Sequence, residues 1–208
     1  MSEGARIEYF FSVVSPWAYL GHAELIRIAR AHHATIVYRP VSLARVFPSS
    51  GGVPLAKRHP LRQRHRMLEL QRWRDKRGVP LVLHPPFWPF DTVLADRLVT
   101  VLAAHGGDVE AFLPAAFKGV WRDGLDLADE ATLRDLLRKG GLDPALVDAA
   151  KSDATAALYD AAYDDAMAKG VFGSPCYIRE GEVFWGQDRL AFLGEALASG
   201  RPAFSPDA

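Results

Sequence analysis

An α/β architecture, a small sheet interrupted by a large all-helical insertion, is predicted by three features of this 208-residue chain. The chain opens with a β-α-β pattern. It closes with β-β-α. Residues 56–169 between them read as one helix after another. The ends, 1–55 and 170–208, then build one discontinuous sheet unit, and the helical block is inserted into it, not attached through a linker.

Each element has its own signal. Arg6 to Val14 (RIEYFFSVV) is rich in β-branched and aromatic residues and reads as a strand buried on both faces. Ser15-Pro16 marks a helix start, serine as N-cap and proline at the first helical position. Trp17, Leu20, His22, Leu25, Ile28 and Ala29 then recur with helical spacing. Thr35 to Arg39 is a second strand, so the opening unit implies parallel strands with a right-handed crossover. Pro40 to Pro54 reads as a long loop with a turn at Ser49-Ser50-Gly51-Gly52. Leu61 to Arg77 is a charged helix, and Val79 to Pro89 an extended, proline-rich connection. Helices follow at Asp91–Ala104, Val109–Arg122, Glu130–Lys139 and Pro144–Lys169. Pro175–Arg179 and Val183–Trp185 are short strands around the turn Glu180-Gly181. Gln187–Ser199 is the last helix, and Arg201–Ala208 a loose tail.

Composition excludes several classes of function. The chain is 49% hydrophobic and 24% charged, with zero formal net charge, so neither nucleic acid nor a membrane surface is an expected partner. No apolar window is long enough to span a bilayer. Met1 to Arg6 carries no export pattern. The single cysteine, Cys176, can form no internal disulfide and no structural zinc site alone, which fits a reducing, cytoplasmic setting. His32-His33, His59, His65 and His84 are scattered, so no metal site is expected. Phosphate-binding glycine loops and nucleophile elbows are absent.

Removing the helical middle leaves a thioredoxin-like sheet, and three segments would converge on it. The first is Ser15, at the start of the first helix. Unsatisfied N–H groups and partial positive charge at such a site stabilise an anion. Where a redox protein places its own thiolate, a serine offers a hydroxyl to a thiolate brought from outside. A free thiol ionises near pH 8.5, each unit of lowering needs about 1.4 kcal/mol, and a hydroxyl hydrogen bond to a charged acceptor contributes about 1.5–3 kcal/mol. Taken alone, Ser15 reads equally as a plain helix cap. The second segment is Ser174-Pro175, a strand-start proline on base rates, but a cis proline facing the active helix in a thioredoxin-like arrangement. The third is Gln187-Asp188. These are capping groups in the simplest reading, or a receptor for an ammonium and a carboxylate. Cys176 reads as a small buried hydrophobe.

Ser15-Pro16-Trp17-Ala18-Tyr19-Leu20 resembles the S-P-[FWY]-[SA]-Y-L signature of the 2-hydroxychromene-2-carboxylate isomerases. These are relatives of kappa-class glutathione transferases within the DsbA-like branch of the thioredoxin superfamily. Gly51 to Lys57 resembles their glutathione-reaching loop, and Phe87-Trp88-Pro89-Phe90-Asp91-Thr92 their F-P-x-[ND]-[ST] entry to a helix. Gly170 to Pro175 with Phe184 to Leu190 resembles their carboxy-terminal signature. The resemblance implies glutathione as cofactor, with Ser15 holding its thiolate and the Ser174 backbone, beside Pro175, pairing with its cysteinyl part. It also implies Asp188 and Gln187 at the γ-glutamyl head, Lys57 near a carboxylate, and a homodimer. Departures fall at Ser12, where the family often has aspartate, at Ser174 (valine or threonine), at Asp91 (asparagine) and at Cys176 (threonine or another small residue).

The implied activity is a glutathione-dependent isomerisation. A thiolate adds transiently to the conjugated double bond of an aromatic keto-acid, as in the interconversion of 2-hydroxychromene-2-carboxylate and trans-o-hydroxybenzylidenepyruvate. The substrate carboxylate needs a cation, for which Lys57 or Arg58 are candidates, and Trp17, Phe87 and Trp88 are candidates for an apolar wall. A kappa-class-like transferase conjugating electrophiles shares the first half of that chemistry. Binding of extended peptides without catalysis is a third reading, whereas the missing C-x-x-C argues against oxidoreductase work.

Overall fold

A computed structural model describes residues 4–207; readings that touch Met1 to Glu3 or Ala208 lie outside the described residues. The sheet has the order β2-β1-β3-β4, with β1 Arg6–Phe11, β2 Thr35–Pro40, β3 Cys176–Arg179 and β4 Glu182–Trp185. β1 runs parallel to β2 from Arg6↔Thr35 to Phe11↔Pro40. β3 is antiparallel to β1 (Tyr9↔Tyr177) and to β4 (Tyr177↔Phe184). The β3–β4 hairpin turns on Glu180 and Gly181, both at positive φ (51° and 87°), as a two-residue turn matched to strand twist requires. This is the expected thioredoxin-like sheet, and the helical insertion sits between β2 and β3.

The helices are α1 Pro16–Ala31, α2 Leu43–Ser49, α3 Pro60–Arg77, α4 Val93–Ala104, α5 Val109–Trp121, α6 Glu130–Lys139, α7 Leu146–Ala150, α8 Asp153–Ala168 and α9 Leu190–Ser199. Alternation along β1 explains their placement. Ile7, Tyr9 and Phe11 face one side and pack with Leu20, Leu25, Phe112 and Phe117 of α1 and α5. Phe10 faces the other side, among Val46, Ala162, Ala166, Cys176 and Ile178. Among the described residues no helix is long and apolar enough to cross a membrane.

Four expectations need correction. β1 stops at Phe11, not Val14, because Ser12 and Val13 turn their hydrogen bonds to a side chain on α4. The supposed loop 40–54 contains α2. Its Val46 docks into the Phe10 cluster and its Arg45 lies over the Tyr163 ring, so tertiary contact overrides the Pro48 signal. The long helix expected from Pro144 is two helices, because Ser152 caps a fresh start: its Oγ accepts from the Thr155 N–H at 3.2 Å. The tail is tied back by Arg201, whose guanidinium clasps the Glu182 carboxylate at 2.7 and 2.8 Å.

Candidate active site

Ser15 lies where β1 hands over to α1, buried to 4% exposure. As N-cap, its Oγ accepts the Ala18 N–H at 3.2 Å. The same hydroxyl donates to the Ser174 carbonyl at 3.2 Å, across 159 residues of sequence. The Ser174–Pro175 bond is cis, and Ser174 Oγ accepts from the Ser12 N–H at 3.3 Å. Among the described residues, the backbone N–H groups of Trp17 and Ser174 have no acceptor in the protein. Two donors and one swivelling hydroxyl therefore share one end of α1, where the helix already favours negative charge.

The loop carrying Ser15 is braced from beneath. Asp96 of α4 is fully buried. Its carboxylate accepts from the Ser12 hydroxyl at 2.8 Å, the Val13 N–H at 2.9 Å and the Tyr159 hydroxyl at 3.3 Å. Burial pushes the Asp96 carboxyl up to about 7, against the opposing pull of these donors. The resemblance suggested that Ser12 removes a carboxylate near the site; Asp96 supplies one from another element. Trp88 Nε1 donates to the Val14 carbonyl at 3.1 Å, and Trp121 Nε1 to that of Val13 at 3.4 Å.

The third segment is a short 3-10 turn, Gln187–Arg189, entered through Gly186 at φ +99°. Gln187 is buried and held by Arg77, whose guanidinium donates to the side-chain oxygen at 3.0 and 3.1 Å and to the backbone carbonyl at 3.0 Å. The turn presses on α1: a Cβ at Gly21 would stand 2.6 Å from Gln187 Cβ. Asp188 is exposed at the rim and paired with Arg189 at 2.8 Å. A Cβ on Gly173, two residues before the cis proline, would collide with the Trp185 indole, so a larger residue there would have to displace that ring from the cleft.

Two clefts meet at Trp17. One, of about 290 Å³, is lined by Trp17, Trp73, Ser174, Trp185 and the turn Gly186–Arg189, with Arg58 and Glu69 shared with the second. The other, of about 380 Å³, lies between Trp17 and the start of α3, lined by Arg58, Arg62, His65, Arg66 and Glu69. A larger concavity of about 860 Å³ opens at the β2 edge and holds none of these residues. Its Glu110 is already engaged by Arg30 at 3.0 Å and Tyr38 at 3.2 Å, which makes it a weaker candidate for chemistry.

The structure thus brings Ser15, Trp17, Ser174, Pro175, Gln187 and Asp188 into one neighbourhood. Lys57 is exposed in the short turn before α3 and lines neither cleft. Phe87 is 52% exposed and Trp88 half-buried; neither lines a cleft, and Trp88 supports Val14. Cys176 is fully buried and its thiol is pushed up to about 12 by burial, so it supplies no thiolate. Asp96, Arg66, Trp73 and Arg77 escaped sequence reading. Asp96 alone left a trace, as a carboxylate inside the apolar run VLADRLVTVLAA. Among the described residues, no group of histidine, cysteine and carboxylates is placed to hold a metal.

Comparison with known proteins agrees with this fold. A family model of the DSBA-like thioredoxin domain matches residues 6–198. The chain is 33% identical to 2-hydroxychromene-2-carboxylate isomerase from Sphingobium xenophagum, over 92% of this chain and 97% of that one. The enzyme of the same name from Pseudomonas putida is 28% identical, over 92% and 93%. A solved structure of 2-hydroxychromene-2-carboxylate isomerase superposes with TM-score 0.82 at 26% identity, covering 93% of this chain and 95% of that one.

Proposed function

We propose, on the premise that the chain belongs to the 2-hydroxychromene-2-carboxylate isomerases within the DsbA-like thioredoxin domain family, that this isomerase is glutathione-dependent and acts on an aromatic keto-acid. The observation that carries the reading is the meeting of the Ser15 hydroxyl with the Ser174 backbone at the start of α1, without a protein thiol there. The unpartnered N–H groups of Trp17 and Ser174 support the fit: one suits an anion at the helix end, the other an extended, peptide-like ligand.

Ser174, beside Pro175, would hold the cysteinyl part of glutathione through its backbone. Asp188 would receive the γ-glutamyl ammonium, exchanging one cation, Arg189, for another. Gln187 would shape that end from its seat on Arg77. Lys57 is the outermost candidate, for a glutathione carboxylate. Glutathione, when bound, supplies a thiolate that adds reversibly to a conjugated double bond and so frees it to rotate.

The chain's own contribution follows from its geometry. The Ser15 hydroxyl has one proton and now gives it to the Ser174 carbonyl. Turning that proton toward a sulfur anion exchanges a neutral acceptor for a charged one, a stronger hydrogen bond. The Ala18 N–H holds Oγ in place during the exchange. The Trp17 indole walls the approach, and Trp88, outside both clefts, braces the Val14 carbonyl behind Ser15. The chain is proposed to work in the cytoplasm as a homodimer.

Calorimetric titration with glutathione, repeated with S-methylglutathione, tests the reading. Saturable binding that weakens on methylation is expected. Absence of binding at millimolar glutathione would refute it.

A further inference from the structure

We propose that the cleft between Trp17 and α3 seats the substrate's carboxylate, gripped by Arg66 and Arg58 with Arg62 at the rim. This deepens the isomerase reading and rests on it for the identity of the acid, but the cation cluster stands on its own geometry.

Arg62 and Arg66 lie four residues apart on α3, so both point to one side of the helix, and Arg58 precedes its first turn. All three line one cleft with Trp17. Further along α3, Arg72 pairs with Glu69, Arg74 with Asp75 and Arg77 with Glu24, while Arg64 and Lys76, which line neither cleft, carry no ion pair among the described residues. Among the described residues, Arg58, Arg62 and Arg66 form no ion pair; Glu69, the one acid in the cleft, is engaged by Arg72. Arg66 is half-buried, its guanidinium 5.2 Å from the Trp88 ring centroid. Arg58 Nε donates to the Val53 carbonyl at 2.7 Å, which fixes the guanidinium plane and leaves its outer nitrogens free. Burial, followed by the neighbouring Arg58 charge, brings the Arg66 guanidinium down to about 10. Like charges held together and partly stripped of water make an incomplete arrangement that an anion completes.

Three features favour the carboxylate of a planar aromatic acid. Guanidinium forks bind a carboxylate through two parallel hydrogen bonds. The cleft, at about 380 Å³, suits a small aromatic molecule. Trp17 walls both this cleft and the one containing Ser174, so an acid anchored here extends its ring and side chain along Trp17 toward Ser15. Trp88 couples the two sites: it stacks under Arg66 and donates to Val14, the residue before Ser15.

The test uses chromone-2-carboxylate, a planar acid that does not react, and its methyl ester, both followed by tryptophan fluorescence. Glutathione is titrated separately by calorimetry. Wild type should bind the acid about tenfold or more tightly than the ester, the yield expected of a charge-assisted pair. Arg66→Gln should weaken acid binding about tenfold and leave ester and glutathione binding unchanged, and Arg58→Gln, at a residue that also lines the Ser174 cleft, should weaken acid binding about tenfold and leave ester binding unchanged. Arg66→Lys should retain part of the preference. Equal binding of acid and ester by wild type would overturn the proposal, as would unchanged acid binding in both glutamine variants. Loss of glutathione affinity in place of acid affinity would assign the cluster to a glutathione carboxylate and also overturn it. If wild type bound no glutathione but kept its preference for the acid, the cofactor reading would fail and this one would stand.

Discussion

Two carboxylates flank the start of α1 and live under opposite conditions. Asp96 is wholly buried and meets three donors, two of them on the loop that carries Ser15. Asp188 is exposed and meets one arginine beside it in sequence. Burial without an ion pair makes the first carboxyl part of the framework: its work is to fix residues 12–15. Exposure with a replaceable partner leaves the second free to exchange that partner. Nearness to a site does not by itself make an acidic residue a binding group; what already satisfies it decides.

The largest effect should come from Asp96→Ala. It strands the Val13 N–H and two hydroxyls in the interior, which is expected to lower unfolding free energy by about 3 kcal/mol in urea titrations. A variant as stable as wild type would break the contrast with Asp188.

A sharper check uses pH. Burial raises Asp96 to about 7, above its unfolded value, so its stabilisation is present below the unfolded carboxylate range and lost as pH rises through about 7. His22 is buried with neither ring nitrogen hydrogen-bonded, and burial lowers it to about 4. Its stabilisation is present above the ordinary histidine range and lost as pH falls toward 4. The two oppose each other between pH 4 and 7. In that window, Asp96→Asn should leave stability rising with pH, and His22→Phe should leave it falling. Denaturant titrations across the window would show whether the two slopes have opposite signs.

Ser15→Ala removes both a cap and a donor. Stability should fall by about 1 kcal/mol. Isomerisation of trans-o-hydroxybenzylidenepyruvate should fall about 10- to 100-fold at neutral pH, the worth of a hydroxyl hydrogen bond to a charged acceptor. A wild-type rate would remove Ser15 from the chemistry. The smallest effect is expected from Asp188→Asn: glutathione affinity reduced about tenfold by calorimetry, with stability changed by no more than about 0.5 kcal/mol.

Much of this was legible in the chain. Strand patterns, the Ser-Pro helix start and the order of elements identify the sheet and insertion, because each is set by neighbours in sequence. α2 was hidden because its helix depends on docking Val46 against α8 and carries a proline that reads locally as a break. Ser15, Ser174 and Asp188 were visible through their positions at element ends. Asp96 and Arg66 were not, because their significance comes from partners far away along the chain: Ser12 is 84 residues from Asp96, and Trp88 comes to Arg66 only through the fold. Lone charges on helices look alike until the fold shows which have lost water and which have found partners.

The central position of β1 also has a consequence for synthesis. β1 ends at Phe11, yet its neighbour β3 begins only at Cys176 and Ser174 comes just before it. At about 5–20 residues per second, a ribosome leaves that edge of β1 without its partner for roughly 10–30 seconds. Throughout that interval Ser15 has no Ser174 opposite it, and the nascent chain presents an apolar strand edge instead of a binding site. Newly made protein therefore becomes competent only after Ser174 and β3 have been translated, and a chain truncated before Ser174 would be an aggregation hazard, not a partial enzyme.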